Sequence, residues 1–415
     1  MHTPELPLRP IGPDEFTAAA DLLAFVFASD FTSADHDAER SVFEYDRSLA
    51  TFDGEQLVGS LSAYSFDMSV PGGSARVGGT TWVGVAPTHR RRGLLARAMT
   101  QHLRDVAERG EPLAALWASE ASIYGRFGYG PAIEGQRVEV EVDGPVTWLD
   151  TAPPPPTSVS FVPLAEAAEV LDPIYTAARG RRAGLHARSQ TWWHFQVLST
   201  RKDAMGGLPR KYVAVAEVDG QPAAYAVYGL AEGPERTSGR PHAVLTLIEM
   251  AGVDAQAEAS MWRYLLSHDL VQTVDARRRP VDDVLPLLLA DSRRVVRRPG
   301  DALHVRVVDL PAALRARSYV DSAGVTIEVH DGLLEANDGT WRVEVAPEGV
   351  SVEPAEVSDA DLRMDVKALG ALYMGDVRLG RLAAAGMVDV LNPAVVPAVE
   401  AAFTAAEAGW APEVW

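Results

Sequence analysis

The run from Val77 to Gly110, VGGTTWVGVAPTHRRRGLLARAMTQHLRDVAERG, limits what this chain can fold into more than any other stretch. Its β-rich start, Thr80 to Val85, stops at Ala86-Pro87 and crosses a basic loop, His89-Arg90-Arg91-Arg92-Gly93. Apolar residues then recur at helical spacing. Leu95, Met99, Leu103 and Val106 share one face, Arg97, Gln101, Arg104 and Glu108 take the others, and Gly110 stands where a helix is capped. The helix buries its stripe by lying on a sheet, so a strand, loop and helix in an α+β fold are predicted. Gly93 in the first turn lets backbone approach a ligand. The free N–H groups of the helix start, its dipole and three arginines together suit an anion such as a diphosphate. Taken alone, Arg-Arg-Arg-Gly reads equally as a solvated basic turn.

Before this run, Thr17 to Phe27 has helical periodicity and Asp30 to Arg40 is polar and loop-like. Leu49 to Phe52 and Gln56 to Phe66 read as strands around Asp53-Gly54, and Pro71-Gly72-Gly73 turns the chain into the strand that precedes the basic loop. Gln136 to Val142 is a further strand, followed by Asp143-Gly144-Pro145 and then Thr151-Ala152 and four prolines, Pro153 to Pro156. Consecutive prolines join neither helix nor sheet, which places the end of a first domain, residues 1–150, at this run.

From Phe161 the order repeats: a helix over Leu164 to Ala178, the pair Trp192-Trp193, strands at Tyr212 to Val218 and Pro222 to Leu230 around Asp219-Gly220, then Ala243 to Met250 leading into Gln256 to Ser267. The basic loop does not repeat. Glu249-Met250-Ala251-Gly252-Val253-Asp254 stands in its place, so residues 151–298 are expected to form a related domain without the anion loop. Trp192 and Trp193 suit its core better than a cleft wall. After Arg297-Arg298-Pro299-Gly300 the pattern changes to strands at His304 to Val308, Val325 to Val329, Trp341 to Val345 and Val350 to Val352. A short helix starts at Pro311, and others follow at Val366 to Tyr373, Leu379 to Ala385 and Pro393 to Ala408, the last with Asn392 as N-cap and Gly409 closing it. Residues 299–415 are therefore expected to form a third domain of α+β type.

Composition removes several functions. The net charge of −19, from 57 acidic against 38 basic residues, argues against nucleic acid as a partner, and the clusters Arg277-Arg278-Arg279 and Arg293-Arg294 with Arg297-Arg298 do not reverse it. It suits cationic substrates, or simply solubility. The absence of cysteine excludes disulfides, thiolate metal ligands and a cysteine nucleophile. The ten histidines show no metal-ligand spacing, so no metal is expected. No stretch reaches the length of a membrane span, and MHTPELPLRPIGPDEF lacks a basic region followed by an apolar one, which points to the cytoplasm.

The stretch Leu116 to Pro131 contains ASEASIYGRFGYGPA. With VAPTHRRRGLL it resembles the enhanced intracellular survival (Eis) family within the GCN5-related N-acetyltransferases, in which a strand, an Arg/Gln-x-x-Gly-x-Gly/Ala loop and a helix hold acetyl-coenzyme A. Leu95 occupies the last small position of that pattern, with Ala96 one place later. The resemblance implies an N-terminal acetyltransferase fold, a second acetyltransferase-like domain lacking the cofactor loop, and a C-terminal domain like sterol carrier proteins. It implies that Val83, Gly84 and Val85 hold the pantetheine arm, that Arg91, Arg92, Gly93, Leu94, Leu95 and Ala96 bind the diphosphate, and that Ser119 and Glu120 complete the pocket.

By the same resemblance Tyr124 is the proton donor to the leaving thiolate, and a small amine of aminoglycoside type is the acceptor in a homohexamer. Lysine side chains of proteins are a second acceptor class. A non-catalytic acyl-coenzyme A or lipid-binding protein is the contrasting reading. The ending Gly409-Trp410-Ala411-Pro412-Glu413-Val414-Trp415, with two tryptophans in seven residues, is unlike a solvated tail and predicts a buried terminus. Packing alone accounts for that, whereas the resemblance implies that the carboxylate of Trp415 deprotonates the amine.

Overall fold

A computed structural model of the chain describes residues 6–29, 31–142, 144–233 and 242–415, so Asp30 and Asp143, both placed in loops above, lie outside the described residues. The chain forms two compact units. One comprises residues 1–133, 303–406 and 414–415, and the other residues 134–302 and 407–413.

The first unit begins with β1 (Leu8–Arg9), α1 (Phe16–Phe27), α2 (Ser33–Arg40), β2 (Leu49–Asp53), β3 (Gln56–Val70), β4 (Gly73–Val85), α3 (Leu94–Glu108), β5 (Leu113–Trp117), α4 (Ala121–Tyr124) and the start of β6 (Gly130–Glu141). Its strands lie in the order β1-β2-β3-β4-β5, antiparallel except for β4 with β5. In α3, Met99, Leu103 and Val106 are buried as the spacing predicts, while Leu95 is half-buried and Ala98 joins the buried face, and Gly110 takes a left-handed φ of 66° just beyond its end. Residues 33–40 depart from the expected loop and form a helix. The Thr32 hydroxyl oxygen accepts from the Asp35 amide, and the Asp35 carboxylate accepts from the Thr32 amide at 2.7 Å, so α2 starts on a capping box built with Asp rather than Glu.

The second unit contains the rest of β6, then β7 (Ser158–Phe161), α5 (Ala167–Arg181), α6 (Gln190–Phe195), α7 (Lys202–Met205), β8 (Lys211–Val218), β9 (Gln221–Glu232), β10 (Ala243–Gly252), α8 (Ala255–Leu265), β11 (Val271–Pro280), α9 (Leu285–Leu288) and the start of β12 (Val295–Val307). The order β6-β11-β10-β9-β8-β7 repeats the first sheet's plan, with β10 and β11 its one parallel pair, again joined through a helix. Trp193 is fully buried and donates from its indole to Asp172 at 3.1 Å, and Trp192 is buried as well, so both serve the core. The chain enters this unit within β6 and leaves it within β12. Pro153 to Pro156 lies inside it. Prolines have no N–H, but their carbonyls accept, and Ser260 on α8 donates to the Pro154 carbonyl at 2.9 Å. The proline run is a strap along a helix. Arg279, from one of the basic clusters, is interior and bonded to Glu258 and Asp283.

Back in the first unit, residues 303–307 of β12 pair antiparallel with β5. There follow α10 (Leu310–Ala316), β13 (Ala323–His330), β14 (Gly339–Ala346), β15 (Gly349–Pro354), β16 (Leu362–Asp365), α11 (Val366–Tyr373), α12 (Leu379–Ala384), β17 (Val388–Val390) and α13 (Val396–Phe403), with a sheet ordered β15-β14-β13-β16-β17. Close backbone contact joins this part to residues 1–133. A Cβ on Gly130 would stand 2.1 Å from the Lys367 carbonyl oxygen and 2.6 Å from the Ala371 nitrogen. The buried Arg306 donates to Asp331 at 2.7 Å and to the Phe127 carbonyl at 2.8 Å, so its charge is paired where it is desolvated. Asn392 caps the last helical segment, but α13 stops at Phe403, short of the expected Ala408. Residues 407–413 instead join the second unit, where Trp410 is buried and donates to the Arg278 carbonyl at 2.7 Å. Among the described residues no helix is long and apolar enough to cross a membrane.

Candidate active site

Strands β4 and β5 pair only over Val77–Gly79 and Leu113–Ala115, although β4 runs on to Val85. Beyond Gly79 the β5-facing edge of β4 is released, while its other edge stays bonded to β3 through Ser60↔Gly84 and Gly59↔Val85. Between those pairs and Ser62↔Thr81, Leu61 alone opposes Trp82 and Val83. This is a β-bulge, and Trp82 carries it at a φ of 55°, a strained value for a bulky residue. The alternation of Thr80 to Val85 reads as a plain strand, so sequence reasoning missed the bulge. The backbone of Val83, Gly84 and Val85 thus lies on a freed strand edge, able to pair with an extended arm as an added strand would.

At the end of β4, Pro87–His89 form a single 3-10 turn, and His89 is buried against Asp53 at 3.0 Å and Thr88 at 2.8 Å. It takes no part in the basic loop. Arg90, Arg91, Arg92 and Gly93 are exposed, and both Arg91 and Gly93 have left-handed φ, 62° and 78°. Gly93 is the N-cap of α3 and has no side chain with which to bond its amides; the first backbone bond is from Arg97 to the Gly93 carbonyl, 3.0 Å. The amides of Leu94, Leu95 and Ala96 therefore precede the helical ladder and are available to an anion. The Arg92 guanidinium bonds the Thr88 carbonyl at 3.2 Å, which leaves Arg91 the freer of the two charges. Leu95, where the motif has a small residue, packs half-buried against the cluster of Leu49, Leu61, Met99 and Tyr124 and so does not fill the loop. These groups fit a diphosphate. A Cβ at Gly93 would meet nothing within 4 Å, so its conformation rather than crowding calls for glycine in the unliganded protein.

Ser119 and Glu120 are exposed in the turn after β5, and Tyr124 ends α4, which follows directly. Tyr124 is buried, only 5% exposed, and among the described residues none hydrogen-bonds its hydroxyl. Burial first, and then Glu120, push its pKa up to about 12. Its ring meets Tyr129 edge-on, centroids 6.1 Å apart, and the Tyr129 hydroxyl lies 2.8 Å from Thr80 Oγ1. Thr80 also bonds His102 Nε2 at 2.8 Å. His102 is buried, and desolvation with Arg47 nearby lowers its pKa to about 3, so the imidazole stays neutral.

Trp415 reaches the same strand from elsewhere. Its ring packs edge-on against Phe66 at 4.9 Å, and the Phe66 ring leans over Gly79, where a Cβ would be 2.3 Å from it. Gly79 and Thr80 are successive residues of a strand, so their outward directions are opposite. Tyr124, through Tyr129, and Trp415, through Phe66, are thereby tied to the two faces of β4 at the point where it parts from β5. Phe66, Thr80, Tyr129 and His102 support this arrangement, and none was singled out from the sequence. The signal for His102 was a polar residue beside Met99 and Leu103 on the apolar face of α3.

A sheet with one parted parallel pair, a glycine-capped helix entering from it and an anion loop between them define a GCN5-related acetyltransferase. Residues 7–132 match the Acetyltransferase (GNAT) domain family, residues 184–307 match a second family of that description, and residues 310–412 match the Sterol carrier protein domain. An uncharacterized N-acetyltransferase of Streptomyces avermitilis is 38% identical over 384 residues, covering 92% of each chain. N-acetyltransferase Eis of Mycobacterium tuberculosis is 34% identical over 364 residues, 84% of each. The crystal structure of Eis1 from Mycobacterium abscessus superimposes with a TM-score of 0.85 at 30% identity, covering 99% of this chain and all of that one. The chain belongs to the Eis family of N-acetyltransferases, with an acetyltransferase plan in its first unit and a repeat of that plan, without the basic loop, in its second.

Proposed function

We propose that the protein transfers the acetyl group of acetyl-coenzyme A directly to an amine of a small polycationic acceptor of aminoglycoside type, with Tyr124 as general acid and the Trp415 carboxylate as general base. The observation that carries this reading is the approach of Tyr124 and Trp415 to opposite faces of β4 at Gly79 and Thr80. Acetyl-coenzyme A supplies an activated thioester. The loop Arg91 to Ala96 would hold its diphosphate, the free edge at Val83 to Val85 its pantetheine arm, and Ser119 with Glu120 the pocket wall. An N–H on that edge would donate to the thioester oxygen as charge develops on it. Tyr124 holds a proton to offer the departing sulfur, while Trp415 accepts one from the attacking nitrogen. A net charge of −19 favours the approach of a polycation.

A lipid-carrier role is less well supported. The cavity of about 810 Å³ on the five-stranded sheet sets Val329, Met364 and Met387 beside Glu328, Asp338, Arg363, Asp365 and Lys367, and so many charged groups are poor neighbours for an apolar chain. Assays with tobramycin, a lysine peptide and no acceptor test the reading. Turnover with tobramycin is expected, and turnover with the peptide alone would overturn the small-amine assignment.

Gly93→Asp should abolish coenzyme A binding by calorimetry while the protein stays folded, because the new side chain enters open space, Asp is among the side chains that best tolerate a left-handed φ, and its carboxylate is set against the diphosphate. Unchanged affinity would place the cofactor elsewhere. Arg91→Ala should cost about 1 to 3 kcal/mol of binding, the worth of one charge-assisted hydrogen bond. The reading extends to a cytoplasmic homohexamer, for which light scattering should give about six times the chain mass of 44.6 kDa; a mass of 44.6 kDa would refute it.

A further inference from the structure

The second unit lacks the anion loop of the first, yet it holds a different cationic site. Lys211, the first residue of β8, is only 3% exposed and lines a pocket of about 530 Å³ together with Lys202 and Arg210, both exposed at its rim, and Thr200. Leu164, Met205, Leu208 and Pro209 supply an apolar wall, and the lining contains no Asp or Glu. The wall is fixed, since Leu208 and the Arg210 carbonyl press on Gly229 of β9 so closely that a Cβ there would come within 2.7 Å and 2.8 Å of them.

Lys211 donates to the Val197 carbonyl at 3.0 Å, and no carboxylate among the described residues stands within ion-pair distance of it. Asp203 and Glu249 act on it only from farther away, and Glu249 is already committed to Arg188 and Tyr225. An ammonium has three donors, so two remain unanswered by the protein in a largely desolvated place, an unfavourable state that an anion relieves. Burial, with Arg201 adding to it, lowers the pKa of Lys211 to about 8, which still leaves it mostly protonated at neutral pH. In a chain of net charge −19, three cations around one cavity without a lining carboxylate mark a local reversal of sign.

We propose that this pocket binds a small phosphate monoester bearing an apolar body, with Lys211 at its floor, Lys202 and Arg210 at its rim and the body against Leu164, Met205 and Leu208. Three cations match a dianion better than a single carboxylate, and the volume lies in the range of small-molecule sites. The ligand is held, not transformed.

The test is calorimetry with phenyl phosphate as probe and benzyl alcohol as its uncharged counterpart, on the full chain carrying Gly93→Asp so that the diphosphate loop does not compete. Phenyl phosphate should bind at least tenfold more tightly than benzyl alcohol. Lys211→Met should weaken it by about tenfold or more, and Arg210→Ala by several-fold. If Lys211→Met loses its fold by circular dichroism, the double variant Lys202→Ala/Arg210→Ala, altering exposed side chains alone, decides instead. No heat at about 5 mM phenyl phosphate, above the millimolar range expected of so small a ligand, overturns the proposal. So does equal affinity in the variants. Binding that is present in the wild type, vanishes with Gly93→Asp and survives Lys211→Met would assign the anion to the diphosphate loop and overturn it as well.

Discussion

Appending three residues after Trp415 should leave a folded protein that binds coenzyme A normally and has lost most of its acetyl-transfer activity, by about 10² or more, the scale of removing a general base. The ring of Trp415 is only half-buried on Phe66, so an added tail has a way out to solvent and the packing survives. What the tail removes is the α-carboxylate. Such a group titrates near about 3.5 when free, so it is a weak base and must act on a proton already made acidic by the forming C–N bond, directly or through a water. Deleting Trp415 does something different. It takes away the ring from Phe66 and moves the carboxylate to Val414, which is 47% exposed, so activity should fall as well. An appended variant at full activity, beside a deletion that only lowers thermal stability, would show that Trp415 packs without catalysing.

Tyr124→Phe should lower turnover by about 10² and leave the affinity for coenzyme A unchanged. The hydroxyl is bonded by none of the described residues, so its loss strands no buried partner, and the ring contact with Tyr129 is kept. The pH dependence gives a second check. The pKa of Tyr124 is raised to about 12, so the phenol is protonated throughout the assay range and loses its proton only as pH rises towards that value. Wild-type turnover should therefore show no alkaline decline from Tyr124 below about pH 10, some two units below its pKa. A limb near pH 8 that disappears in Tyr124→Phe would contradict both the pKa and the assigned role. Wild-type turnover in the variant would return Tyr124 to the core.

Local pattern carried much of this protein. The 3.6-residue spacing of Met99, Leu103 and Val106, the break at Gly93 and the left-handed residue at Gly110 are all decided within a few residues, and so the helix beside the basic loop could be read from the sequence. The repeat of strand, turn and strand around Asp219-Gly220 was visible for the same reason, as was the cap at Asn392. Capping also explains a miss, because Thr32 and Asp35 use the shorter acid and hid the start of α2 in a polar segment.

Tertiary structure alone decided the rest. Nothing in the alternation of β4 says that β5 leaves it after Gly79 or that Trp82 bulges, because register depends on the partner strand and not on the strand's own period. Pro153 to Pro156 broke the local pattern as expected, but its meaning turned on a hydroxyl from Ser260 more than a hundred residues away. The final helix obeys its N-cap and then stops at Phe403, and the chain beyond it buries Trp410 and bonds Glu413 to His186 at 2.5 Å, contacts that no local pattern announces. The site is the extreme case. Thr80 joins His102 and Tyr129, and Phe66 meets Trp415, through contacts whose partners are far apart in sequence, where periodicity carries no information and only the closure of the fold brings the groups together.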